Sequence, residues 1–172
     1  LVESSMGFIP NSMLIMVHWP ELLSAFGGLG TTLLQPGEVD GQLKQLVAMV
    51  SAQRCNYCQA HTAHSAHRAG ADEEKIPTVF DFEESDLFTD KEREALRFGW
   101  LASLQPNAIE SHNFETLRVF FSEREIVEIV AVISLFGFLN RWNDTLATEL
   151  EPTAVDFGND TLSDTGWNRG KH

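Results

Sequence analysis

Apolar residues along this chain recur at helical spacings. Leu43, Leu46, Val47 and Val50 fall three, four and seven positions apart within the stretch from Glu38 to Gln53, the stripe of an amphipathic helix. No stretch alternates apolar and polar residues with the β-branched bias of a strand, so the pattern predicts an all-α fold. Pro10-Asn11-Ser12 opens a run over Met13 to Trp19, and Pro20 suits the first turn of the next helix. That helix is expected to fade at Gly27-Gly28-Leu29-Gly30, which reads as a loop because no strand precedes it to make a nucleotide-binding turn. A further helix runs to Ala69 and stops at Gly70, a good residue just past a helix end. The segment from Ala71 to Asp90 reads as acidic and irregular, tied to the core by Phe80, Phe82 and Phe88. Thr89 with Glu92, and Ser122 with Glu125, are capping-box pairs that mark two more helix starts. Between them, Pro106 separates a helix ending near Gln105 from one reaching about Phe121. The last long helix spans Ser122 to Glu149, with Gly137 as a candidate break. The stretch from Glu151 to His172 has few apolar residues and is expected to be an extended or loosely held tail, with Phe157 and Trp167 as its anchors.

Gln42 to Ser51 aligns without gaps on Glu125 to Ser134, an offset of 83 residues, with Val, Ala and Ser shared. Two amphipathic helices can agree this way by chance. The alternative is a duplicated helical unit, with halves over about residues 10–70 and 89–150 packed around one core in a single domain of residues 1–150. The offset sets Cys55 and Cys58 against Phe138 and Arg141, so the thiols belong to one half only.

Composition narrows the function. With 172 residues, 43% hydrophobic and 22% charged, the chain is of ordinary globular type. Its 25 acidic and 12 basic side chains give a net charge of −13, which argues against nucleic acid and anionic membrane surfaces as partners. The most apolar run, Ile126 to Leu139, contains Glu128 and is too short to span a bilayer. The first twenty residues have Glu3, Pro10 and no basic n-region, so they do not read as a signal peptide, and a cytoplasmic location with reduced thiols is expected.

Only two cysteines occur, which excludes a secreted disulfide framework and directs attention to Arg54-Cys-Asn-Tyr-Cys-Gln-Ala-His-Thr-Ala-His-Ser-Ala-His67. On a helix, Cys55 and Cys58 lie one turn apart, near the end where unpaired amides favour thiolate. A second thiol at that distance can resolve a sulfenic acid or mixed disulfide, so the spacing suits dithiol–disulfide cycling. His61, one turn beyond Cys58, is the candidate base or proton donor. His64, on the far side of the helix from Cys55, is a lesser candidate for a relay or pocket role and His67 a lesser one again; otherwise both read as surface or subunit-contact residues. Tyr57 is placed to tune the thiols or simply to pack.

Two other readings of the cysteines compete. A zinc site needs four converging ligands; there is no second CxxC, and His18, His112 and His172 form no pair, so no metal is expected. The thiols can also be small buried core residues. No dinucleotide, P-loop or haem motif appears, and no cofactor is expected.

The string Arg54-Cys-Asn-Tyr-Cys-Gln-Ala-His-Thr-Ala-His64 resembles the CxxC helix of the carboxymuconolactone decarboxylase superfamily, in its alkylhydroperoxidase D-like branch. Phe88 to Arg97 and Gly137 to Thr145 are similar to members of the same branch, and the likeness covers about residues 10 to 150. The resemblance implies an all-helical fold built on a helical repeat, a homo-oligomer (dimer, trimer or hexamer), and reduction of hydroperoxides or disulfides with an external thiol reductant. It implies that Cys58 attacks the peroxide and Cys55 resolves the intermediate, with His61 assisting. Where the branch carries a relay glutamate, this chain has Leu43 flanked by Gln42, Lys44 and Gln45, and where its histidine commonly falls stands Thr62. Gln45 can orient a proton but not accept one; Glu38, Glu128 or a carboxylate from another subunit are the candidate substitutes. Asn140, Trp142 and Asn143 read either as helix-end polar residues or as pocket wall over the cysteines, where the repeat would set them. A member that kept the fold and bound a small molecule near Cys58 without turnover is the alternative function.

Overall fold

In the computed structural model, residue 3 and residues 6–172 are described; residues 1, 2, 4 and 5, at the start of the expected domain, lie outside them. The described residues are helical with no strand, as the apolar spacing predicted. Helix α1 spans Asn11–Met16, α2 Pro20–Leu34, α3 Gly41–Ser51 and α4 Asn56–Arg68. A short α5 (Lys75–Thr78) and a 3₁₀ turn lead to α6 (Asp90–Ala102), α7 (Ser111–Phe120), α8 (Glu123–Leu146) and α9 (Pro152–Leu162).

The core sits around α3. The Asp40 carboxylate accepts from the backbone amides of Gln42 and Leu43 and starts this helix. Every residue from Leu43 to Ser51 is buried, because α4, α6 and α8 all pack on it. Its one charge, Lys44, is offset by Glu128 of α8 at 2.8 Å. Glu128 also accepts from the backbone amides of Glu38 and Val39 at 3.3 and 3.2 Å, so one carboxylate ties α8 to α3 and to the loop before it. Gly37 makes room for that carboxylate: a Cβ there would lie 2.4 Å from Glu128 Oε2.

Both expected capping boxes are present, at Thr89 with Glu92 and at Ser122 with Glu125. The acidic segment before α6 is organised by Arg93, whose guanidinium donates to the carbonyls of Phe82, Glu83, Ser85 and Phe88. Phe82 and Phe88 are buried there, as expected of its anchors.

Three elements differ from the expectation. The α2 helix runs straight through Gly27–Gly30; none of these glycines has a neighbour within 4 Å of a built Cβ, and none of the helix's residues is buried. The α8 helix continues unbroken through Gly137. The two aligned stretches therefore differ at this point: the helix holding residues 42–51 ends at Ser51 and a new one starts at Asn56, whereas the helix holding residues 125–134 continues to Leu146.

The third difference is the tail. Pro152 occupies a first helical turn, where its missing N–H costs nothing, and α9 packs along α4. Phe157 lies against His64 and His67, and Trp167 is buried, so both expected anchors serve as such. Trp167 lies flat on Gly158, where a Cβ would meet its ring at 2.6 Å, and its Nε1 donates to the Asn56 carbonyl at 3.0 Å. The segment is a clasp on the first turn of the cysteine helix. Among the described residues no helix is long and apolar enough to cross a membrane.

Candidate functional site

The chain leaves α3 at Ala52 and re-enters a helix at Asn56, and Cys55 is the residue between, in extended backbone with φ −135°. It is the N-cap of α4, and the Cys58 amide donates to its sulfur at 3.4 Å. The cysteine spacing thus does two things at once: it caps the helix and brings the two thiols together. Both are free and buried.

Their environments split the pair. Hydrogen bonding from Cys58 lowers the Cys55 thiol below its usual range despite burial. Burial pushes the Cys58 thiol well up, and the hydrogen bond and charge of Cys55 push it further, with the Asn143 amide acting the other way. Of the two, Cys55 is therefore the more acidic thiol and Cys58 the less acidic.

Only Cys58 faces the cavity. This space, of about 540 Å³, is walled on its apolar side by Phe26, Leu34, Leu135, Phe136 and Leu139, and on its polar side by Tyr57, Cys58, His61 and Asn143. Gln45 and Thr62 also line it. Thr62 spends its hydroxyl on the Cys58 and Gln59 carbonyls of its own helix. Asn143 Nδ2 donates to Cys58 Sγ at 3.5 Å.

His61, one turn beyond Cys58, meets a carboxylate the sequence reading missed. Its Nε2 is 2.6 Å from Glu151 Oε2, with both side chains buried. The other oxygen, Oε1, accepts from the Tyr57 hydroxyl at 2.9 Å and from the Asn11 amide. Tyr57 stacks on His61 with ring centroids 4.2 Å apart, and its oxygen in turn accepts from the Ser12 amide at 3.2 Å. Burial would raise the Glu151 carboxyl, but the hydrogen bond and charge of His61 outweigh it and hold it below the usual range. Burial, with the Glu151 charge alongside, pushes the Tyr57 hydroxyl far up, so Tyr57 stays a donor.

Neither Glu38 nor Glu128 takes the relay position. Glu128 is held by Lys44, Arg124 and the 38–39 backbone, and Glu38 accepts from Ser122. No spacing links Glu151 to the CxxC: it stands 90 residues from His61, and its signal is only a glutamate directly before Pro152.

The other expected residues separate. His64 is buried against Phe8 and Phe157, outside the cavity wall, with Nδ1 unpartnered; burial, aided by the Arg68 charge, lowers its pKa. Asn140 donates to the Ser51 carbonyl at 2.7 Å and Trp142 stacks on Phe138, so of the three α8 residues Asn143 is the one beside the thiols. Among the described residues no group of three or more His, Cys, Asp or Glu is placed to hold a metal ion.

Residues 20–99 match the model of the carboxymuconolactone decarboxylase family. The debrominase Bmp8 is 33% identical over 92% of this chain and 87% of its own, with a TM-score of 0.85. This chain belongs to the carboxymuconolactone decarboxylase family. A second Bmp8 structure, a variant in complex with 2,3,4-tribromopyrrole, gives 32% identity over 93% of this chain and 87% of that one, and a TM-score of 0.86. The AhpD-like core of a peroxidase-related protein from Ralstonia eutropha shares the fold, with a TM-score of 0.78 at 20% identity over 92% and 84% of the two chains. YnjA of Escherichia coli is 27% identical over 110 residues, which span 63% of this chain and 60% of YnjA.

Proposed function

We propose that this family member is a thiol-dependent reductase in which Cys58 and Cys55 supply two electrons to a small organic substrate held in the cavity. The observation that carries the reading is the His61–Glu151 pair one turn from Cys58: it supplies the buried acid–base group that the upstream sequence lacks.

The chemistry follows from the arrangement. In the reactive form of the pair Cys58 passes its proton to a Cys55 thiolate, and the resulting Cys58 thiolate attacks an electrophilic heteroatom X of a substrate R–X. The R–X bond breaks, its electron pair goes to R, and His61 delivers the proton that makes R–H. Cys55 then loses its proton to His61 and displaces X⁻ from sulfur, closing the Cys55–Cys58 disulfide. The substrate gains two electrons and the dithiol loses them; an external thiol reductant reopens the disulfide. Glu151 keeps His61 oriented, and Tyr57 and the Asn11 amide hold Glu151 in turn.

The same sequence fits an aromatic ring bearing bromine and a hydroperoxide. Two observations favour the halogenated ring: the higher identity to the debrominase than to the peroxidase-related protein, and an apolar cavity far larger than a peroxide group needs. The test is reductant-dependent turnover without oxygen, with tribromopyrrole followed by bromide release and cumene hydroperoxide followed by its loss. Release of bromide that is abolished in C58S and C55S and reduced about 100-fold in H61A supports the reading. Turnover that survives in C58S refutes it. Turnover of the hydroperoxide alone keeps the dithiol mechanism and reassigns the substrate.

A further inference from the structure

One side chain in the cavity wall has work left over. Asn143 is 1% exposed, and its amide presents two ends. Nδ2 donates to Cys58 Sγ, while Oδ1 is buried with no hydrogen-bond partner. Buried carbonyl oxygens are nearly always paired, and the exceptions concentrate at functional sites.

The residue is firmly placed. Asn140, three positions earlier on the same face of α8, donates to the Ser51 carbonyl, and Thr148 N donates to the Asn143 carbonyl at 3.1 Å where Ala147 ends the helix at φ 47°. The amide therefore cannot relax toward another partner by sliding the helix. Three other polar atoms of the wall are committed: His61 Nε2 and the Tyr57 hydroxyl to Glu151, and the Thr62 hydroxyl to its own helix.

We propose that Asn143 is the specificity residue of this site: Nδ2 faces the attacking sulfur, and Oδ1 accepts a hydrogen bond from an N–H or O–H of the substrate adjacent to the bond that Cys58 breaks. The inference rests on the reductase reading and narrows its substrate to a compact, largely apolar ring that carries a donor beside its electrophilic heteroatom. One rigid amide then aligns sulfur and substrate together. A ring without the donor leaves the oxygen buried and unpaired, and sites built this way discriminate strongly against such analogues.

The experiment is a binding comparison in the C58S protein, which cannot turn over. Tribromopyrrole is compared with the corresponding tribromofuran, which has the same size and no donor, by tryptophan quenching. The expected result is at least about tenfold tighter binding of the pyrrole, with the preference erased by N143L in the same background. In protein that retains Cys58, N143L should also shift the midpoint of iodoacetamide alkylation of Cys58 to higher pH, because the N–H that favours thiolate is gone. Equal binding of pyrrole and furan overturns the proposal, and so does a preference that persists in N143L. The pyrrole–furan comparison needs no change at Asn143, so it decides the matter even where N143L does not fold. Failure of the reductase reading shows elsewhere, as absence of disulfide in the unmutated protein given substrate.

Discussion

Glu151 is the residue on which the chemistry turns. A histidine without a carboxylate partner is a loosely oriented acid; with Glu151 at 2.6 Å its ring is fixed. E151Q keeps the size and the hydrogen-bonding oxygen but removes the charge, so turnover should fall about 10- to 100-fold with substrate binding little changed, as a kcat against KM comparison will read. The same substitution has a pH signature. The folded carboxyl lies below its ordinary value of 4.5, so the stability it contributes is present above that value and is lost as pH falls through the depressed one. E151Q should therefore be less stable than the parent at neutral pH, and thermal melts should show the gap closing in acid. The thiols were legible because both members sit one turn apart in a single string. Glu151 was not, because its relation to His61 exists only after α9 has folded back along α4.

At the scale of elements, two packing devices position the site and each can be broken alone. The clasp depends on Trp167 lying on Gly158, so G158A should cost about 1–3 kcal/mol through overpacking, seen as a lower melting temperature with altered tryptophan fluorescence. The Lys44–Glu128 tie depends on a carboxylate held down to about 2 by the Lys44 hydrogen bond and the 38–39 amides, against a smaller opposing effect of burial. E128Q leaves the buried Lys44 ammonium with the Gln35 carbonyl but no counter-charge, and at neutral pH should cost about 3–5 kcal/mol. Because the folded value is depressed, that stability is lost as pH falls from about 4.5 toward 2, and urea titrations of the two proteins should converge there. These elements also mark where sequence patterns mislead. Gly158 and Pro152 look like tail residues because they remove apolar bulk and an N–H, yet here both are what lets α9 dock. Gly27, Gly28, Gly30 and Gly137 look like breaks, yet each lies inside a long helix whose hydrogen bonds do not need a side chain.

For the whole molecule, the feature still to be matched is α2. It buries none of its residues, exposes Leu29, and follows Trp19, which is also exposed, while Phe26 and Leu34 wall the cavity. Self-association over this helix is the proposal that follows from the expected homo-oligomer, and L29E should then lower the sedimentation coefficient without unfolding the chain. An unchanged coefficient would leave α2 out of any assembly. The fold class, the capping boxes and the dithiol were all readable because each is a local pattern of few residues. The clasp, the relay carboxylate and the donor-seeking amide were not, because each joins residues far apart in the chain.

The central claim is that the two buried thiols act as one two-electron reductant on a substrate in the cavity. It is tested most directly by a single turnover: reduced protein, without oxygen or added reductant, is given one equivalent of tribromopyrrole or cumene hydroperoxide, and free thiols and the peptide carrying Cys55 and Cys58 are then measured. The account predicts loss of both thiols, one intramolecular disulfide and one equivalent of reduced product. Thiols that stay free with both substrates, or product formed without the disulfide, would contradict it.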